Sequence, residues 1–383
     1  MTPPRGFPPS EFEERLARAQ ALMAHQNLAA LLLTTEPELR YYSGFLTRFW
    51  ESPTRPWFLV VPASGKPIAV IPSIGAHLMG QTWIDDIRTW AAPDYEDDGI
   101  GLLANTLREV APEDGWIGLA DGLETHVRMP RTALSDLTKR LGTRALVSDG
   151  GLTQQLRNVK SKRETAKITH AVRIAERAFL RLPEVARIGV GLDRVFRDFQ
   201  RLCLEEGADW VPYLAGAAGP NGYGDVISPA TDTPLSADDI LMLDTGLVWD
   251  GYFCDFDRNV SLGPPSAAAQ SAHHRLIEAT QAGFETAKPG ARMSDLYHAM
   301  TALLDADDTS SRFGHGLGMQ LTEGPSIIAS DDTVLEPGMV LTLEPCITVA
   351  PGKLMVHEEN IVIRDAGAEW LTHPAGPNLR VIT

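Results

Sequence analysis

The chain is poor in cysteine: Cys203, Cys254 and Cys346 are the only three among 383 residues. Three scattered thiols, an odd number, exclude a disulfide framework and a CxxC metal pair. Positive charge is also scarce. The 34 basic residues face 50 acidic ones, for a net charge of −16. That balance argues against nucleic acid or an anionic membrane surface as the main partner. No stretch reaches the roughly 18 consecutive apolar residues of a membrane span. The opening MTPPRGFPPSEFEERL has no apolar run of the signal-peptide kind. A cytoplasmic location and a small soluble partner are therefore the expectation.

What is present fits a soluble enzyme of two domains, since 383 residues are long for a single core. The spacing predicts an α/β domain over residues 1–155. It opens on a helix with a Ser10–x–x–Glu13 capping pattern and apolar Phe12, Leu16 and Ala19 at helical intervals. A strand at LAALLLTTEPE follows, then a WFLVVPASGKPIAVIP hairpin turning at Ser64-Gly65-Lys66, a strand over Trp116–Gly122 and a helix over Arg131–Leu141. From RNVKSKRETAKITHAVRIAE onward the pattern changes to α+β, over residues 156–383. Long helices are predicted from Lys162 and over Leu192–Glu206, Ala267–Ala287 and Met293–Asp305. Strands fall at DILMLDTGLVWDG, FCDFDRNVSLG, MVLTLEPCITV and ENIVIRD. No repeat of solenoid period is present; two diverged halves are compatible with the pattern.

Four of the strand segments carry an acid where an apolar residue belongs. Asp244 interrupts ILMLDTG, Asp255 lies in YFCDFDRNV, Glu344 in VLTLEPCI and Glu358 in HEENIVI. A buried carboxylate is costly unless paired, protonated or bound to metal. His315 lies in FGHGLGM, where flanking glycines permit close backbone approach. Singly, each has a bland explanation: a turn cap, a solvated HEEN edge, a satisfied core histidine. Together, four carboxylates and an imidazole form an oxygen-rich set suited to Mn²⁺, Fe²⁺, Co²⁺ or Zn²⁺. Five ligands, some able to bridge, fit two ions better than one. Such pairs sit roughly 3.5–4 Å apart and hold a bridging hydroxide as nucleophile.

The strings LMLDTGLVWDGYFCDFDR, GHGLGMQLTEGPSI, LEPGMVLTLEP and HEENIVIRDAG resemble the M24 metallopeptidase family, which includes Xaa-Pro dipeptidase (prolidase), Xaa-Pro aminopeptidase and methionine aminopeptidase. The ligand spacings of 11, 60, 29 and 14 residues are similar to those of a prolidase-like chain. The resemblance implies a creatinase-like N-terminal domain and a catalytic domain of the "pita-bread" fold. It implies that Asp244 and Asp255 hold one ion, that His315 and Glu344 hold the other, and that Asp255 and Glu358 bridge them. Two divalent ions, manganese favoured, a homodimer and a catalytic proton carried by Glu344 follow from the same likeness.

Several family features are absent. The histidine expected seven residues after His315 is Thr322, one expected ahead of Asp244 is Ile227 or Ser228, and an arginine before the bridging glutamate is Val356. Asp257 replaces a threonine; it either adds a carboxylate beside the ions or pairs with Arg258. Hydrolysis of an Xaa-Pro dipeptide or related amide is the expected chemistry. The alternative is a non-peptidase relative acting on a small zwitterion, as in dimethylsulfoniopropionate lyases, creatinase or ectoine hydrolase. Candidate substrate contacts are Thr322, Tyr223 and, in the aromatic and basic YYSGFLTRFWESPTRPW, Arg48 and Trp50. The last two could equally be part of an aromatic core with surface arginines.

Overall fold

A computed structural model describes residues 2–52, 55–304 and 312–382. It divides into two compact units, residues 4–157 and residues 158–383 with the first three residues. In the N-terminal unit, helices α1 (Pro9–His25), α2 (Glu36–Ser43), α3 (Ala76–Met79), α4 (Ile100–Val110), α5 (Arg131–Arg140) and α6 (Leu152–Asn158) accompany six strands. These are β1 (Leu28–Leu33), β2 (Phe58–Pro62), β3 (Ile68–Pro72), β4 (Asp86–Trp90), β5 (Trp116–Leu119) and β6 (Ala145–Ser148), in the mixed sheet order β4-β3-β2-β1-β5-β6. Leu103 and Leu107 of α4 and Leu137 of α5 pack on Phe58, Val60 and Ile117 to form its core.

The first helix begins earlier than its sequence suggests. Pro9 occupies the first turn, where its fixed φ suits helix initiation and its missing N–H costs nothing. Ser10 is thus already helical, and no side-chain cap forms there. The Leu28 segment also stops short as a strand. Thr35 makes a capping box with Glu38, which turns TTEPE into the start of α2.

The C-terminal unit begins with α7 (Lys162–Leu180), capped by a Ser161–Glu164 box, and α8 (Leu192–Glu205). Strands β7 (Trp210–Pro220), β8 (Asp239–Trp249), β9 (Tyr252–Phe253) and β10 (Phe256–Leu262) follow. Next come α9 (Ala267–Thr286), α10 (Met293–Thr301), β11 (His315–Gly316), β12 (Glu323–Ser326), β13 (Val340–Leu343), β14 (Cys346–Ala350), β15 (Lys353–Val356), β16 (Glu359–Arg364), β17 (Gly367–Trp370) and β18 (Arg380–Ile382). The predicted extension of α10 to Asp305 lies outside the described residues. The predicted strand across Glu344 breaks into β13 and β14, because Pro345 cannot donate to a ladder.

Two similar halves emerge from the backbone bonding. Gly189 N donates to Leu235 O, Leu192 N to Thr233 O and Asp193 N to Thr231 O. With donors 101 and acceptors 100 residues on, Gly290 N donates to Leu335 O, Met293 N to Thr333 O and Ser294 N to Asp331 O. Each half is a helix pair followed by antiparallel strands, β10-β8-β7 in one and β12-β11-β13-β16-β17 in the other, with the C-terminal β18 added parallel to β10. Asp244 and Glu344 occupy corresponding places in the two halves. The resulting architecture is the pita-bread fold preceded by a creatinase-type domain.

Two buried lysines tie α7 and its approach to the strands. Lys167 pairs with Asp250, and Lys160 Nζ lies 3.1 Å from Glu323 Oε2, with both side chains of the latter pair about 5% exposed or less. Glu323 also accepts from Met319 N and Gln320 N, so it closes the loop that carries Leu321 and Thr322. Replacing Lys160 by Met leaves this carboxylate buried without its cation. The expected destabilisation is about 3–5 kcal/mol by urea denaturation; a loss below about 1 kcal/mol would mean the pair behaves like an exposed one.

Candidate metal centre

Each half-sheet delivers carboxylates to one cavity. Asp244 is central in β8, whose eleven residues are all buried, and lies opposite Asp257 of β10. Asp255 is in the turn between β9 and β10, where Asn360 clamps both its backbone N–H and its carbonyl. Glu344 immediately follows β13, with its N–H donated to Phe313 O. Glu358 immediately precedes β16 and donates its N–H to Asp257 Oδ1 at 3.0 Å.

His315 reaches the same place because of its neighbours. Gly314 has φ +139°, and any Cβ there would collide with Thr342 O. Its absence lets β11 close on β13, and Thr342 Oγ1 accepts the His315 N–H. The imidazole Nδ1 sits 2.9 Å from Gly316 O, which assigns the proton to Nδ1 and leaves a lone pair on Nε2. Burial, reinforced by the nearby Arg312 charge, lowers its pKa to about 4, so the ring is neutral.

The five residues line one cavity of about 230 Å³. Ligand atoms of Asp255, His315 and Glu358 all lie within 4.8 Å of one another, and His315 Nε2 is 3.5 Å from Asp255 Oδ2. Asp244 Oδ1, Asp255 Oδ1 and Glu358 Oε1 are buried without a hydrogen-bond partner. Burial and mutual repulsion raise the pKa of Asp244, Asp255 and Glu358 well above the carboxylate range. Burial likewise takes Glu344 to about 7, opposed by Arg312. Unsatisfied carboxyl oxygens beside a neutral imidazole lone pair are neutralised by protons or by a cation. The donor set is that of a hard or borderline divalent metal, so the residues fit one.

The surroundings separate the other candidates. Thr322 and Ile227 line the cavity, and so does Val356. Tyr223 does not: it is fully buried, accepts from Val356 N at 2.8 Å and lies 3.1 Å from Asn259 Oδ1. Its place in the apolar cluster with Ile240 and Met242 corrects its expected substrate role. Arg48 and Trp50 belong to the N-terminal unit. There Arg48 is largely exposed and ion-paired with Glu51, while Trp50 packs on Trp57 beneath Arg128.

Asp257 does not pair with Arg258 through its carboxylate. Its Oδ1 faces His357 Nδ1 at 3.5 Å, and Arg258 instead reaches Glu359 Oε2 at 3.1 Å. His357 Nε2 is 3.1 Å from Glu359 Oε1. Burial opposes charge on His357, but the two carboxylates outweigh it and hold its pKa at about 9. The HEEN segment is thus a buried charge network, not a solvated edge.

Two lining residues were not anticipated. Tyr213 Oη donates to Asp244 Oδ2 at 2.9 Å; only the pairing of β7 with β8 reveals it. Arg312 is the one lysine or arginine lining the cavity among the described residues. Its position three residues before His315 was the available signal.

Comparison with known proteins places these observations in context. The model of metallopeptidase family M24 matches residues 166–365, and that of the creatinase/prolidase N-terminal domain matches residues 15–159. The probable dipeptidase PepE of Mycobacterium bovis is 29% identical over 365 residues, covering 94% of this chain and 93% of its own. The crystal structure of dipeptidase PepE from Mycobacterium ulcerans superposes with a TM-score of 0.84 at 28% identity, covering 98% of this chain and 99% of its own. Prolidase from Thermococcus sibiricus gives 0.86 at 22% identity, covering 97% and 99%, a likeness of fold.

The carboxylate repulsion has a measurable consequence. In metal-stripped protein, Glu358→Gln is expected to raise the thermal midpoint, because it removes one acid from the cluster. Added Mn²⁺ should then stabilise the variant less than wild type. A lower midpoint for stripped Glu358→Gln would show that the carboxylate makes favourable contacts of its own.

Proposed function

The chain belongs to metallopeptidase family M24 and is a metal-dependent hydrolase, and from that premise we propose that it cleaves the amide bond of a small dipeptide-like substrate, in the manner of an Xaa-Pro dipeptidase. The observation that carries this reading is the set of unsatisfied carboxylate oxygens of Asp244, Asp255 and Glu358 around one cavity with His315 and Glu344. Asp244 and Asp255 would hold one divalent ion, His315 and Glu344 the other, with Asp255 and Glu358 shared between them. Ions bound there supply Lewis acidity toward a scissile carbonyl and make water at the site acidic enough to attack at neutral pH. Among Mn²⁺, Fe²⁺, Co²⁺ and Zn²⁺ we favour manganese, since carboxylate-rich sets suit it.

The chain's own groups do the rest. Glu344 lines the cavity, where its carboxylate could accept a proton and return it to the leaving nitrogen. Tyr213 fixes the rotamer of Asp244 through its hydroxyl. Arg312 lines the cavity, and its guanidinium could pair with a substrate carboxylate. Val226, Ile227, Leu321 and Val356 supply apolar walls, and about 230 Å³ admits only a small molecule. A homodimer in the cytoplasm is the setting we infer from the family likeness.

The second reading, a small zwitterion as substrate, is favoured by the walls themselves. Ile227, Thr322 and Val356 all line the cavity at places where the resemblance leads one to expect histidine and arginine. A hydroxyl and two aliphatic groups cannot offer the charged donors of those residues.

Three measurements decide. Mn²⁺-loaded protein is expected to release free proline from Xaa-Pro dipeptides; acrylate from dimethylsulfoniopropionate, with no proline, would select the second reading. Asp255→Ala should lose bound metal and activity together, and full wild-type activity after exhaustive chelation would overturn the metal reading. Arg312→Ala should raise KM for a dipeptide about 10-fold or more with kcat largely kept; unchanged KM would remove it from substrate binding.

A further inference from the structure

A second cavity, of about 650 Å³, lies in the C-terminal unit between the end of α7, strand β10, α9 and the segment leading to β18. Its volume is in the range of small-ligand sites. None of its lining residues is shared with the metal cavity. Adjacent residues of β10 point to opposite faces: Asp257 lines the metal cavity and Arg258 lines this one.

The walls are amphipathic. Phe179, Leu182 and Val260 provide apolar surface, and Phe179 packs on Phe256 with ring centroids 5.4 Å apart. Four arginines and one glutamate also line it. Arg173 is matched by Glu176, Arg177 by Glu206 and Arg258 by Glu359. Arg380 differs: its guanidinium donates only to Phe179 O and Leu180 O, the final carbonyls of α7, and has no carboxylate partner among the described residues. It therefore holds an uncompensated positive charge at the edge of an apolar cavity.

His273 also lines the cavity. His273 is 3% exposed, and its Nε2 lies 3.0 Å from Gly376 O while its Nδ1 has no partner. Burial, with the charge of His357 next, lowers its pKa to about 4. The neutral ring thus carries its proton on Nε2, and Nδ1 is closed off from the cavity.

We propose that this cavity is a second binding site, for an amphipathic carboxylate with an apolar body, such as an N-acylated apolar amino acid or the C-terminal residue of a short apolar peptide. The carboxylate pairs with Arg380, and the apolar side chain fills the space beside Phe179 and Val260. The ligand also touches Arg258, whose Nη1 donates to Glu358 O at 3.3 Å. It thus lies against the back of a metal-centre segment without entering the metal cavity.

Isothermal titration of Mn²⁺-loaded protein with N-acetyl-L-phenylalanine tests the assignment. One saturable site is expected, and it should persist after the metal is stripped. Affinity should fall about tenfold or more for N-acetyl-L-phenylalaninamide and for Arg380→Ala, since each removes one member of a charge-assisted pair. Ala375→Trp, which fills the cavity from a loop, should abolish binding. Absence of saturable binding to wild type overturns the proposal. So does binding that disappears with the metal, or that neither Arg380→Ala nor Ala375→Trp weakens. Equal affinity for acid and amide overturns the carboxylate class. Should Ala375→Trp fold poorly, the Arg380→Ala and amide titrations decide alone.

Discussion

Asp244, Asp255, Glu344 and Glu358 share one buried cavity, and their mutual repulsion is the constraint around which the C-terminal unit is built. Four acids in low dielectric are unfavourable unless protons or cations neutralise them. The fold answers first by holding the backbone around each acid rigidly. Asn360 fixes the Asp255 peptide, Asp257 anchors the Glu358 N–H and Phe313 O anchors the Glu344 N–H. The side-chain oxygens cannot escape to solvent, and several keep free lone pairs directed at one another. This is stored instability of the kind found at functional sites, where binding of a cation converts it into affinity.

A neutral-to-acidic gradient surrounds that core. Next to Glu358, charge is locally balanced: His357 lies between Asp257 and Glu359, and Arg258 closes the network on the far side of β10. Glu359 is consequently held down, to about 2, even though burial acts against it. Two neighbouring glutamates in HEEN thus have opposite fates. Glu358 faces the other acids and is raised; Glu359 faces an imidazolium and a guanidinium and stays ionised. Alternation along an extended segment, more than composition, separates a candidate ligand from a structural ion pair.

The repeated helix-pair and strand unit explains how two distant segments provide equivalent acids. Asp244 and Glu344 are one hundred residues apart, and the hydrogen bonds that lead into their strands recur with acceptors 100 and donors 101 residues apart. The halves have diverged around that frame. One carries a long β8 buried throughout; the other breaks at Pro345 and inserts the β14–β15 hairpin. The cavity walls follow the divergence, with Leu321 occupying the space that Gly246 leaves open on β8.

Local chemistry was legible in the sequence. Helix α7 was readable from its capping box, β8 from its apolar run, and Asp244, Asp255, His315, Glu344 and Glu358 from acids and an imidazole set in apolar or glycine-rich strings, because such anomalies are costly without a ligand. The start of α1 was misread at Ser10, since Pro9 initiates the helix without a side-chain cap. Partnerships across strands were not legible. That Tyr213 meets Asp244, that Asp257 meets His357 and not Arg258, and that the Tyr223 hydroxyl is occupied by Val356 N and Asn259 depend on register and on which face each residue takes. The sequence by itself marked the candidate metal ligands, because the penalty for burying a carboxylate is a property of the residue and its immediate string. Only the tertiary structure decided which oxygens remain unsatisfied, which charges cancel and where a second cavity opens, because those depend on distances between segments far apart along the chain.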